Sequence, residues 1–230
     1  MVLLRIRMRQ PYTAEEVQRA EAQAAAFLER AVPALDVWHS AALAELPNQW
    51  QGRRAGAFSM RYGDFAQGSI GSLSVPPAGL LPYQDTGLLA FHLSRKNEYG
   101  FLRLCTSENE VRLDFSPGVT QITSRGRRLG AARAEGQINC ELCDDTGRAI
   151  GHYRRFVRWQ FVDYVPVVVA GRVPGEIKSL QRKGDGLFRR TPQPAARNLA
   201  PSLTPEEHDW LLAVIGIELL RDLQQARSRA

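Results

Sequence analysis

Lysine is nearly missing from this chain: of its 30 basic residues only Lys96, Lys178 and Lys183 are lysines, and arginine supplies the other 27. Arginine and alanine richness together point to a compositional bias, so the net charge of +6 says little about partners until its placement is known. Cysteine is scarce as well. Cys105, Cys140 and Cys143 are too few, and odd in number, to build the disulfide framework of a small secreted protein, and reduced thiols are expected. Long apolar runs are also lacking. The longest, Trp210 to Leu220, has about half of the roughly 20 residues that cross a bilayer, and no charged-then-apolar signal opens the chain. A cytoplasmic protein is expected, peripheral at a membrane if it binds lipid.

The catalytic signatures are missing too. His39, His92, His152 and His208 form no His-x-x-x-His pair with a glutamate between. Gly68-Ser69-Ile70-Gly71-Ser72 is not a nucleophile elbow, and Gly126-Arg127-Arg128-Leu129-Gly130 is neither a phosphate loop nor a dinucleotide fingerprint. Cys140-Glu141-Leu142-Cys143 has zinc-knuckle spacing. However, Asn139 and Glu141 alternate with Ile138, Cys140 and Leu142 as on a strand, which points the two thiols to opposite faces. Asp144 and Asp145 are adjacent in a turn and suit backbone capping better than a shared proton. No catalytic set, metal site or cofactor site is expected.

What is present is a domain-sized apolar content, 44% of 230 residues, enough for one cooperative unit. Residues 1–50 read as a helical segment. Thr13 with Glu16 has the form of a capping box, the alanine-rich stretch to Ala31 follows, and Pro33 stops it. A shorter helix is expected over Leu35 to Glu45 from the spacing of Leu35, Trp38, Ala42 and Leu46. From Thr13 to Trp50 six carboxylates stand against two arginines, a composition suited to covering a basic face of the same domain.

Residues 51–230 read as a β domain. Between Ala57 and Ala170 the hydrophobic period is two, as in Val111-Arg112-Leu113-Asp114-Phe115 and Val157-Arg158-Trp159-Gln160-Phe161, and turn residues recur at short intervals. Residues 171–205 show no period and hold Pro174, Pro192, Pro194, Pro201 and Pro205. The same stretch has seven basic residues against two acidic ones, and a mobile basic excursion is expected. Thr204, Pro205 and Glu207 then start a helix, expected over 205–225, that is apolar around almost its whole circumference and must be enclosed. The fold class expected is α+β, mainly antiparallel β: a barrel or sandwich closed around a hydrophobic C-terminal helix.

An enclosed terminal helix after many short antiparallel strands resembles the tubby, phospholipid scramblase and LURP-one-related superfamily. The turn Asp144-Asp145-Thr146-Gly147-Arg148-Ala149-Ile150-Gly151, followed by Arg154-Arg155, is similar to that family's strand, Asp-to-Gly turn and strand. Asp85-Thr86-Gly87-Leu88-Leu89-Ala90 echoes it. The resemblance, covering Ala57 to Leu223, implies a barrel closed around the helix and a binding or membrane-associated role.

Three basic groups carry the functional expectation. Lys178, Arg182, Lys183, Arg189 and Arg190 lie in the excursion, Arg125, Arg127 and Arg128 stand beside Arg133, and Arg154, Arg155 and Arg158 lie near a strand. Arginine's planar fork matches two phosphate oxygens at once. The first two groups, without Arg133, are the candidate anion-binding residues. The reading is a non-catalytic module that associates with anionic phospholipid or another phosphate-bearing partner, with Leu187 and Phe188 inserting shallowly. Alternatives are nucleic-acid binding, a protein-interaction scaffold, or an enzyme whose site is assembled from distant residues.

Overall fold

The computed structural model describes residues 12–39, 41–46, 64–70, 87–96, 98–135, 139–154, 164–178 and 194–227, with backbone only for 64–70, 219 and 221–227. Helix α1 spans Ala14–Ala31. Its start is fixed chemically, because Thr13 Oγ1 accepts the Glu16 N–H and the Glu16 carboxylate accepts the Thr13 N–H, satisfying two donors that lack a helical partner. A single 3-10 turn, Val32–Ala34, carries Pro33 and closes it.

The helix expected over Leu35 to Glu45 is only α2, Ala42–Glu45. Backbone pairing competes with it: Leu35 bridges Gly87, and the Asp36 N–H donates to the Gly87 carbonyl. Trp38, Ala42 and Leu46 are nevertheless buried in the core, as their spacing implied.

The strands are β1 (Asp64–Ile70), β2 (Leu89–Lys96), β3 (Tyr99–Cys105), β4 (Glu110–Ser116), β5 (Val119–Ser124) and β6 (Arg127–Glu135). They continue with β7 (Asn139–Asp144), β8 (Ala149–Arg154), β9 (Tyr164–Val169), β10 (Arg172–Lys178) and the two-residue β11 (Ala196–Arg197). All join one antiparallel sheet in which each strand pairs with its chain neighbours. A sandwich would need two sheets. Among the described residues no pairing joins β1 to β11, so the antiparallel sheet stands without demonstrated closure.

The excursion expected over 171–205 contains regular structure at both margins, namely β10 and β11. Pro174 falls where the β9–β10 register shifts between Arg172 and Gly175, a place in the ladder that tolerates a missing N–H. Residues 179–193 lie outside the described residues, as do the strand expected at Val157 to Phe161 and the segment 47–63.

The register sorts every strand into two faces. Leu89, Phe91 and Leu93 of β2 align with Leu104 and Leu102 of β3, then Val111 and Leu113 of β4 and Ile122 of β5. Leu142, Tyr153, Val167 and Ile177 continue the row on β7 to β10, and all of these belong to one buried cluster. Helix α3, Pro205–Arg227, fills that face. Every residue from Asp209 to Glu218 is buried, and ten residues at 100° each go more than once around the axis. The helix packs on β4, β5, β9 and β10. Strands so far apart in the order reach one helix only because the sheet curls around it. Gly216 lies close against β3 and β4: a Cβ there would lie 2.8 Å from both Leu104 Cδ1 and Leu113 Cδ1.

Helix α1 lies on the opposite face, over β2 and β3, with Ala20 and Ala24 against Phe101, and Leu28 against Ala90 and Cys105. Its acidic face is spent on basic strand residues. Glu16 meets Lys96 at 2.7 Å, and Glu21 meets Arg112 at 2.6 Å with Arg103 nearby.

Candidate functional site

Antiparallel neighbours put alternate connections at the same end of the sheet, so the expected basic groups can be placed by topology. The β5–β6 turn, Arg125-Gly126, lies at the end where α3 begins, since Ser124 Oγ donates to Asp209 Oδ2 at 2.6 Å. Arg125 (φ 52°) and Gly126 (φ 73°) both take positive φ, the signature of a two-residue hairpin of the primed kind. Arg125 Nε approaches Asp209 Oδ2 at 3.4 Å, Arg128 donates to Gln121 Oε1 at 3.0 Å, and Arg127 is exposed.

Lys178 ends β10 at the opposite end. Seven residues of strand separate the head of β10 from it, about 20 Å at the usual rise. The structure therefore divides the sequence-predicted set: Arg125, Arg127 and Arg128 are together, and Lys178 is far from them. Arg182, Lys183, Arg189 and Arg190 lie outside the described residues. β10 ends at Lys178 and the described chain resumes at Pro194, whose carbonyl accepts the Tyr164 hydroxyl at 2.7 Å.

Around Lys178 the outer face of β8 to β11 is cationic and aromatic. Lys178 Nζ lies 4.9 Å from the centre of the Tyr164 ring, and the Arg197 guanidinium lies 4.0 Å from it. Arg197 Nε also donates to Glu176 at 2.8 Å, which holds that carboxyl below its ordinary range, with burial opposing. Arg154, the last residue of β8, is exposed and has no carboxylate partner among the described residues. Holding cations on a ring fixes long side chains at little further entropy cost. By contrast Arg103 and Arg112 are engaged by Glu110, Asp114 and Glu21 and are lifted above the usual arginine range by those carboxylates. They are not open to an added anion.

The α3 end holds a polar cluster that sequence reasoning missed. Asp209, 4% exposed, accepts from Asn109 Nδ2 at 2.6 Å, from Ser124 and from Arg125. Trp38 Nε1 donates to His208 Nε2 at 3.0 Å, and the two rings meet edge to face. Burial pushes His208 below the ordinary histidine value. Asn109 and Asp209 are 100 residues apart, and the only local hint was a carboxylate just past a capped first turn, at the head of an apolar run.

Among the described residues nothing is arranged as a nucleophile with its base. Ser124 donates to a carboxylate that is already shared, and His208 Nε2 is occupied by an indole N–H. Burial pushes the Cys105 thiol up to about 12, far from the thiolate range of a reactive cysteine. Cys140 sits in the core cluster, while the Cys143 thiol turns the other way onto Glu141, as strand alternation required. Among the described residues no cluster of three histidine, cysteine or acidic side chains is fit to hold a metal ion. Asp144 caps its turn, accepting from Thr146 and the Arg148 N–H, and the Thr146 hydroxyl lowers its pKa.

No protein-family profile, curated protein or solved structure matches the chain. No described helix is long and apolar enough to cross a membrane.

Proposed function

We propose that this chain is a non-catalytic binding module that docks on an anionic phospholipid surface with the end of the sheet bearing Lys178. The observation that carries the reading is the placing of Arg154 of β8, Lys178 of β10 and Arg197 of β11 on one face of the sheet, the last two held on the Tyr164 ring of β9. The basic connection 179–193 starts from the same strand end. Near an anionic membrane each net charge contributes about 1 kcal/mol, and with Glu176 offsetting Arg197 the group gives weak, salt-sensitive association that further arginines would strengthen. The proposed fold is the closed barrel implied by the likeness to tubby and scramblase proteins. The burial of α3 against strands from β3 to β10 supports it. The module would then sit peripherally at the membrane, with α3 kept as core.

The test is co-sedimentation with phosphatidylserine-containing vesicles against phosphatidylcholine alone. Binding to the anionic vesicles should fall as salt rises, and should be lost in Arg154→Ser/Lys178→Ser/Arg197→Ser with melting nearly unchanged. Equal binding by wild type and triple variant sinks the reading. Binding to duplex or single-stranded oligonucleotides without vesicle binding would move the assignment to nucleic acid.

A further inference from the structure

At the far end of the sheet from Lys178, a cleft of about 660 Å³ opens beside the start of α3, within the size range of small-molecule sites. Leu199, Leu203 and Leu212 give it an apolar side, with Trp38 beneath, and Arg125, Glu108 and His208 give it a polar one. The N-terminus of α3 is not the attraction here. Thr204 and Glu207 cap it reciprocally, and Glu207 also meets Arg172 at 3.1 Å.

The polar wall is arranged in advance. Asp209 has its oxygens filled by Asn109, Ser124 and the Nε of Arg125. Gripping the guanidinium by Nε leaves both Nη groups without a partner among the described residues, on a side chain 53% exposed. The donor from Trp38 fixes His208 as neutral imidazole with its proton on Nδ1. Arg125 also occupies the first position of a primed turn at φ 52°, where asparagine, aspartate or glycine is usual and another residue is strained. A fork of donors held by a buried carboxylate, at a backbone cost, is how a protein presents arginine to a planar anion.

We propose that this cleft binds a small organic monocarboxylate with an apolar body. The carboxylate sits on the Nη pair of Arg125, and the body lies against Leu199, Leu203 and Leu212. Glu108 on the same wall repels a second negative charge, which separates this ligand from the phosphate-bearing surface proposed for the other end. The two proposals are independent.

The probes are benzoate, phenylacetate and hexanoate beside their neutral amides, read by titration calorimetry and by tryptophan emission, since Trp38 lines the cleft. At least one acid should bind at millimolar concentration, and about tenfold or more tighter than its amide. Arg125→Gln should remove that preference, Arg125→Lys should retain only part of it, and Ser202→Trp, at an exposed lining position, should block acid and amide alike. Circular dichroism confirms folding of each variant. If Arg125→Gln does not fold, the acid-to-amide ratio of the unchanged protein and the Ser202→Trp result decide. No binding by any acid, equal binding of acids and amides, or wild-type affinity in a folded Arg125→Gln each overturns the proposal.

Discussion

Replacing Leu211 by alanine and Gly216 by valine tests whether α3 is covered on two different flanks. The two positions are separated by about 140° around the helix and about 7.5 Å along it. Leu211 is wholly buried and faces β10, where its Cδ1 would lie 3.4 Å from a Cβ built on Gly175. Losing three carbons at about 0.8 kcal/mol each, plus the cavity left in a wall that cannot collapse, gives about 3 to 4 kcal/mol. Gly216 faces β3 and β4. Helix propensity would return somewhat less than 1 kcal/mol on replacing glycine by a β-branched residue. The new Cβ, however, falls 2.8 Å from two leucine methyls, where carbon pairs prefer about 3.5 to 4.0 Å. Two further methyls then press on leucines that are themselves wholly buried, so a net loss of about 1 to 3 kcal/mol is expected. Urea denaturation followed by circular dichroism measures both from the midpoint at constant slope. The double variant should be additive within about 0.5 kcal/mol. A loss below about 1 kcal/mol for Leu211→Ala, or none for Gly216→Val, would show that the corresponding flank is open.

His92 is buried between Phe27 and Phe101 and faces Arg103 across the β2–β3 pair. Burial, then Arg103, pushes it down to about 4. An unfolded histidine titrates near about 6.5, so the unfolded chain binds the extra proton first as pH falls. Stability should be full above about 6.5 and decline toward about 4 by up to roughly 1.4 kcal/mol per pH unit. In His92→Phe the slope in that window should shrink to the part owed to His208 and, at its acid end, to Glu16 and Glu176, which Lys96 and Arg197 hold below the ordinary carboxylate range, as followed by denaturation at several pH values. Asp209→Ala should cost about 2 to 4 kcal/mol in thermal denaturation by stranding Asn109 and Ser124 donors, while Arg125 regains water. Glu16→Gln and Glu21→Gln should each cost about 0.2 to 1 kcal/mol, and high salt should erase the difference from wild type.

Local chemistry was readable from the residues wherever its partners were close in the chain. The capping boxes of Thr13 with Glu16 and Thr204 with Glu207 fall where their spacing put them, because cap geometry involves four consecutive residues. The alternation through Val111, Leu113 and Phe115 gave the buried face of β4, and the apolar circumference of α3 implied its enclosure. Spacing failed at Leu35, where apolar period pointed to helix but Gly87, 52 residues away, offered strand-like pairing. It failed again at Arg172–Lys178, since proline content argues against a ladder only when the missing N–H is needed. The split between Arg125 and Lys178 was invisible for a different reason. Which end of a sheet a turn occupies depends on how many strands precede it, and charge tallies along a chain carry no such parity.

The strand order has a consequence for how the molecule is made. Strands that pair only with their chain neighbours keep most contacts local, so the sheet can grow hairpin by hairpin, fast for a β protein. Much of the filling of its concave face comes from α3, which follows the eleven described strands in the chain. During synthesis those strands are therefore made before α3 can cover Leu102, Leu104, Leu113 and Val167. That interval is when sticking to other nascent chains is most favoured, and it ends only when α3 has docked.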